Sequence, residues 1–172
     1  MPGHGYPQQP VMAPVGPGAY ASWGARVGAT LIDFLLAVLV PIILVGVTML
    51  LRHTYRGDCT YLDIECREAA KRDMLPFLIG LLIIAGLWLF AFNIFVLVKE
   101  GKGASPGKKA MKIRLVREDN GLPTGFGMAL VRRMCHALDS VPCSVGYLWP
   151  AWDAKGQTFA DKVMHTVVVR TG

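Results

Sequence analysis

The sequence predicts an all-α membrane protein. It has two transmembrane helices, a third helical segment that is re-entrant, interfacial or spanning, and a small cytoplasmic β-pair. Two long apolar runs, the distribution of Lys and Arg around them, and two short alternating segments carry that prediction. Of 172 residues, 53% are apolar and only 17% charged, whereas soluble domains average ~25% charged. A mean hydropathy of +0.41 excludes both a soluble domain of ordinary composition and a fully disordered chain. Four cysteines are too few for a disulfide scaffold.

Residues 1–21 read as a disordered cytoplasmic tail, because Pro2, Pro7, Pro10, Pro14 and Pro17 block regular structure and no charged residue occurs there. Its PxxP matches lack the Arg or Lys that orients such a ligand. It also lacks the basic start of a secretory signal. The membrane domain then covers residues 22–170. The first helix is expected at about 26–51. The run Val27 to Leu51 holds one charge, Asp33, between Arg26 and Arg52, and it exceeds the ~20 residues a bilayer requires. Pro41 predicts a kink. The second helix, about 75–98, holds no charge; Pro76 lies in its first turn and Lys99 follows its end.

Loop charges orient the helices. The loop 52–74 carries five Lys/Arg, and the segment 99–133 carries nine. Lys and Arg concentrate in cytoplasmic loops, so 99–133 is expected inside, 52–74 outside and the N-terminus inside. This makes a multi-pass membrane protein. On the outer face Cys59 and Cys66 form either a disulfide or two free thiols.

Within the inner segment, Lys112 to Arg117 alternates like a strand, and Asn120-Gly121 is a turn signal. His165 to Arg170 is also strand-like. The two pair only if they lie on one side of the membrane, which favours a non-spanning third segment at 134–152. That segment contains His136, Asp139, Pro142, Gly146 and Pro150, and its Tyr147, Trp149 and Trp152 suit an interface.

The charged residues in or near lipid narrow the search for a site. Arg26 and Asp33 lie on one helix face, roughly 10 Å apart. An intramembrane carboxylate needs a partner or a proton. Asn93, Arg132 and Arg133 are candidate partners for Asp33, and Asp139 is a further polar candidate. Asp161, within the C-terminal motif 157–170, is expected to pair with Arg26 and staple the two ends of the domain together. A two-residue staple is restored by a charge swap.

These residues resemble a family. Ala25-Arg-Val-Gly-Ala-Thr-Leu-Ile-Asp33 resembles the opening of RDD domains, bacterial membrane modules named for one arginine and two aspartates. Gly103-Ala-Ser-Pro-Gly-Lys-Lys-Ala-Met-Lys-Ile-Arg-Leu-Val116 is similar to the family's G-x-T-P-G-K loop, with Ser105 in place of Thr. Gln157-Thr-Phe-Ala-Asp161-Lys-Val-Met-His-Thr166-Val-Val-Val is similar to its ending, with Phe159-Ala160 where Leu-His is common. The resemblance covers residues 22–170. It implies that Arg26, Asp33 and Asp161 act as a unit, and that transport, including cation–proton exchange, is a role to consider.

Other chemistries find no support. Gly101-Lys-Gly-Ala-Ser-Pro-Gly-Lys108 mimics a phosphate-binding loop, but the spacing is one residue off and Lys109 stands where Ser or Thr must hold magnesium. No nucleotide is expected. Basic residues beside anionic lipid explain the inner loop better than nucleic acid does. Lys102, Lys108, Lys109 and Lys112 are the candidate lipid-headgroup contacts. No metal spacing, cofactor motif or catalytic constellation is visible, so the chain is not expected to be an enzyme. Two or three helices are too few to enclose a pore. The expected role is an accessory or scaffold subunit that binds a protein partner or further copies of itself. The alternative is an oligomeric transporter in which Asp33 carries a proton or cation.

Overall fold

A computed structural model describes residues 19–56, 62–141 and 143–171. The chain divides into two compact units. One comprises residues up to Leu31 together with Val96 onward, and the other comprises Ile32–Phe95.

Two long helices dominate: α1, Trp23–Arg56, and α2, Ile64–Gly101. Both are long and apolar enough to cross a membrane. Their outward side chains are the reverse of a soluble surface: Leu50 is 68% exposed, Leu82 72% and Phe90 68%. Lipid removes the penalty that water would impose on such a face.

Both helices outrun the expected spans. Hydropathy locates only the lipid-compatible stretch, whereas the backbone continues wherever helix formers allow. Residues 64–74, expected as loop, are therefore helical. Asp63 accepts the Cys66 amide at 3.0 Å, which satisfies one of the donors left over at a helix start. Glu68 and Lys71 then pair at 2.5 Å on the exposed surface. Cys66 is disulfide-bonded, and Cys59 lies outside the described residues.

Within the Ile32–Phe95 unit, two polar side chains donate to their own helix. Thr48 Oγ1 donates to Leu44 O at 2.7 Å and Asn93 Nδ2 to Leu89 O at 2.8 Å. Such back-bonding to the preceding turn is the usual solution where water is absent. α1 remains helical through Pro41, which has no N–H to offer the Ala37 carbonyl four residues earlier. Trp88 Nε1 on α2 donates to that carbonyl at 3.0 Å. Trp88, Phe92 and Phe95 stack along α2 with centroid spacings of 5.9 and 6.0 Å.

The other unit is built around a small sheet. β1, Ile113–Arg117, pairs antiparallel with β2, Thr166–Arg170, with Leu115 opposite Val168. The two alternating segments thus form the expected pair. Leu115, Val116, Val167 and Val168 are buried, so the sheet is the core of this unit. The last residues of the expected tail do not hang free. Ala21 N donates to Val168 O and Arg170 N to Ala19 O, while Tyr20 bridges Val169. Residues 19–21 therefore line the edge of β2 opposite β1, and the expected tail at 1–18 lies outside the described residues.

Short helices frame the sheet. α3, Pro106–Ala110, starts with Ser105 as its cap and Pro106 at its first position, both favourable there. α4, Gly125–Ser140, begins well before the expected third segment, and the chain breaks after it. Cys143 and Ser144 adopt left-handed backbone conformations, which end a helix. α5, Val145–Leu148, a 3₁₀ turn at Trp149–Ala151 and α6, Phe159–Val163, follow. Residues 134–152 are thus not one continuous helix: glycine, proline and polar residues divide them. Gly146 lets α5 approach α4 closely, since a Cβ there would lie 2.4 Å from Asp139 Oδ1.

Candidate functional site

Asp161 is the centre of the site. It sits in α6, fully buried. Thr158 caps α6 by accepting the Asp161 amide at 3.1 Å, and Asp161 Oδ2 accepts the Thr158 amide at 3.2 Å. This reciprocal capping box fixes the carboxylate before any distant residue reaches it. Arg26 Nη1, on the first turn of α1, donates to Oδ2 at 2.7 Å. Arg132 Nε, on α4, donates to Oδ1 at 2.7 Å. Thr166 Oγ1 donates to Oδ1 at 3.2 Å.

The carboxylate is therefore held by two guanidiniums, an amide and a hydroxyl. Burial alone would push its pKa up. The Arg132 and Arg26 charges and their hydrogen bonds outweigh burial and hold the carboxyl well below the usual carboxylate range. Arg132 is shifted the other way. Burial disfavours its charge, but Asp161 and Glu100 overcome that and raise its pKa.

A second buried pair adjoins the first. Lys108 of α3 binds Glu100 near the end of α2. Burial lowers the Lys108 pKa, against the pull of Glu100. A third carboxylate, Asp139, is also fully buried. Its Oδ1 accepts the Phe159 amide at 2.8 Å, and its Oδ2 lies 2.6 Å from His136 Nδ1. His136 stacks on Tyr147 with centroids 5.6 Å apart. Burial keeps the His136 pKa low, with the Arg132 charge acting in the same direction. Trp23 Nε1 donates to Tyr147 O at 3.0 Å, tying the start of α1 to α5.

Arg26 and Asp161 are thus brought together. Arg132, expected as a partner for Asp33, bonds Asp161 instead. Asn93 donates within its own helix, and Asp139 binds the start of α6 rather than acting as a membrane-facing polar group. Lys108 is not a lipid contact, because it is buried against Glu100. The phosphate-loop mimic is a capped helix start. Sequence reasoning missed the roles of Glu100, Thr158 and Thr166. Thr158-Phe-Ala-Asp161 carries a legible signal, since Thr followed three residues later by an acid is a capping pattern. Among the described residues no cluster of His, Cys, Asp and Glu is arranged to hold a metal ion.

The two apolar helices and the charged hub that ties α1 to the C-terminal motif define a small helical membrane protein. The RDD family model matches residues 20–165, and the chain belongs to the RDD family. It is 37% identical over 154 residues to a Proline-rich antigen of Mycobacterium leprae (strain TN), covering 87% of this chain and 60% of that protein. It is also 37% identical over 159 residues to a Proline-rich antigen homolog of Mycobacterium tuberculosis (strain ATCC 25618 / H37Rv), covering 88% of this chain and 63% of the relative. The chain therefore spans less than two thirds of the length of these relatives. No solved structure matches it.

Proposed function

We propose that this protein is a non-catalytic accessory or scaffold subunit of an assembly in a bacterial plasma membrane, with its N-terminus in the cytoplasm. The saturation of Asp161 carries this reading. Ion pathways need carboxylates that exchange protons or cations near working pH. A buried carboxylate held by two arginines, an amide and a hydroxyl does neither. Arg26 and Asp161 serve as a fold staple, and the domain presents two apolar helices for packing against partners.

A transporter reading keeps one specific observation in its favour. Asp33 is an acid within the long apolar helix α1, and such residues often mark ion routes. Reconstituting the full chain in vesicles separates the two readings. The scaffold role predicts proton and sodium flux no greater than in empty vesicles, together with a defined complex mass in a native-like membrane. Flux by the wild type that Asp33→Asn abolishes, with the variant still folded, overturns it.

A further inference from the structure

α4 turns its apolar side outward and its charged side inward. Phe126, Leu130, Met134 and Leu138 follow one another at steps of four, Val141 continues the row, and all five are exposed. That spacing sets them in one stripe. The exposed polar residues Arg133 and Ser140 fall to one side of it. Arg132 and Asp139 are buried on the opposite face, and His136 is held against Asp139. A surface helix of a soluble domain has the reverse arrangement. We propose that this stripe is buried in lipid, with α4 lying along the cytoplasmic surface of the membrane, a placement that takes from the proposed function only that α1 and α2 cross a bilayer.

Strand pairing excludes a third crossing. β1 precedes α4, β2 follows α6, and the two strands are hydrogen-bonded to each other. The chain between them therefore leaves and returns on one side. α4 has 16 residues, about 24 Å of helix. The helices after it have four, three and five residues, far short of the ~20 that a return crossing requires.

Both halves of α4 are held where the spans meet the surface. Two successive crossings begin and end on one side, so the start of α1 and the end of α2 share a side. Gly101, the last residue of α2, abuts the first turn of α4, since a Cβ on it would lie 2.8 Å from Phe126 N. In the second half of α4, His136 O accepts the Tyr147 hydroxyl of α5 at 3.2 Å. Trp23, the first residue of α1, in turn donates to Tyr147 O at 3.0 Å. These residues all belong to one compact unit. α4 is thus tied to the end of one span and the start of the other. An uninterrupted apolar face at that position marks a membrane or protein contact. Lipid is favoured because Leu148 and Trp152, which follow α4, are exposed as well, and tryptophan suits the bilayer interface. A helix lying there sinks its apolar side about 5–10 Å, to the boundary of headgroups and acyl chains.

Photocrosslinking of the full chain in phosphatidylcholine nanodiscs tests the proposal. A diazirine near the top of one acyl chain is the shallow probe, and one at the chain end is the deep probe. Mapping of modified peptides should show adducts on residues 126–141, several-fold more from the shallow probe than from the deep one. Leu87, exposed in the middle of the apolar run of α2, should prefer the deep probe. Met134 and Leu138 pack little inside the protein, being 70% and 47% exposed. Met134→Asp with Leu138→Asp should lift the stripe from lipid and cut its shallow adducts several-fold, with those at Leu87 unchanged. If that variant fails to fold, the wild-type depth profile alone decides. Labelling of Leu87 without labelling of 126–141 overturns the proposal and leaves the stripe to water or to a second copy of the chain. Preference of 126–141 for the deep probe also overturns it, in favour of an inserted helix. Absence of adducts from both regions overturns the membrane reading along with it, so the two failures are distinguishable.

Discussion

The indole of Trp88 hydrogen-bonds the Ala37 carbonyl at 3.0 Å, the carbonyl that Pro41 leaves without a helical donor. A proline in one helix is thereby compensated by an aromatic residue from another. Trp88→Phe should destabilise the protein by about 1 kcal/mol, within the range of hydrogen bonds between membrane helices. Pro41→Ala restores the helical donor, so Trp88→Phe should cost less in that background. Unfolding of the four proteins in detergent closes the cycle. Equal costs in both backgrounds would refute the compensation.

Loss of the Asp161 hub should be severe. Asp161→Asn leaves Arg26 and Arg132 buried without a counter-charge, and breaking buried pairs typically costs about 3–5 kcal/mol. Arg132→Ala should be at least as damaging as Arg26→Ala, because Arg132 is the more buried of the two. The swap of Arg26→Asp with Asp161→Arg should not restore folded yield, since the new arginine would face Arg132. Rescue by the swap would show that Arg26 and Asp161 form an isolated pair. Monodisperse yield by size exclusion reads all four.

The same carboxylate sets an acid limit. Its folded pKa is depressed, so its stabilisation is complete above the unfolded value of about 3.9. That stabilisation is lost as pH falls from there toward the folded value, at up to about 1.4 kcal/mol per pH unit. Between pH 7 and 5 the gap in melting temperature between wild type and Asp161→Asn should stay constant from this source. Below pH 4 it should narrow. A gap that shrinks already between pH 7 and 5 would contradict the assignment.

Gly146→Ala should prevent α5 from seating on α4. The added Cβ would lie 2.5 Å from the Asp139 Cα and 2.4 Å from its Oδ1, and backbone cannot give way cheaply. A loss of about 2 kcal/mol or more is expected. Gly24→Ala, where nothing lies within 4 Å, serves as the control. Thermal unfolding of both variants checks this.

The helices and strands were legible because each rests on local periodicity: uninterrupted apolar runs for α1 and α2, and alternation for β1 and β2. Their ends were less so. Residues 64–74 are polar and helical, and a hydropathy window cannot distinguish that from a loop. The pairing of Arg26 with Asp161 was reachable from motif charges lying at one level. The attachment of Arg132 to that pair was not, because it depends on where α4 crosses α6. Lys108 and Lys109 are neighbours of identical charge, yet one is buried against Glu100 and the other is exposed. Only the direction of α3 separates them.

The placement of Asp161 so late in the chain also bears on synthesis. A ribosome completes α1, α2 and α4 well before residue 161 emerges, so Arg26 and Arg132 wait without their shared counter-ion. Residues 19–21 likewise wait for β2. Contacts between distant parts of a sequence form slowly, and a chain halted before Phe159 exposes an unpaired strand edge and two uncompensated cations. A nascent chain of that kind is a natural target for proteolysis, and arrival of Asp161 and β2 removes both exposures at once.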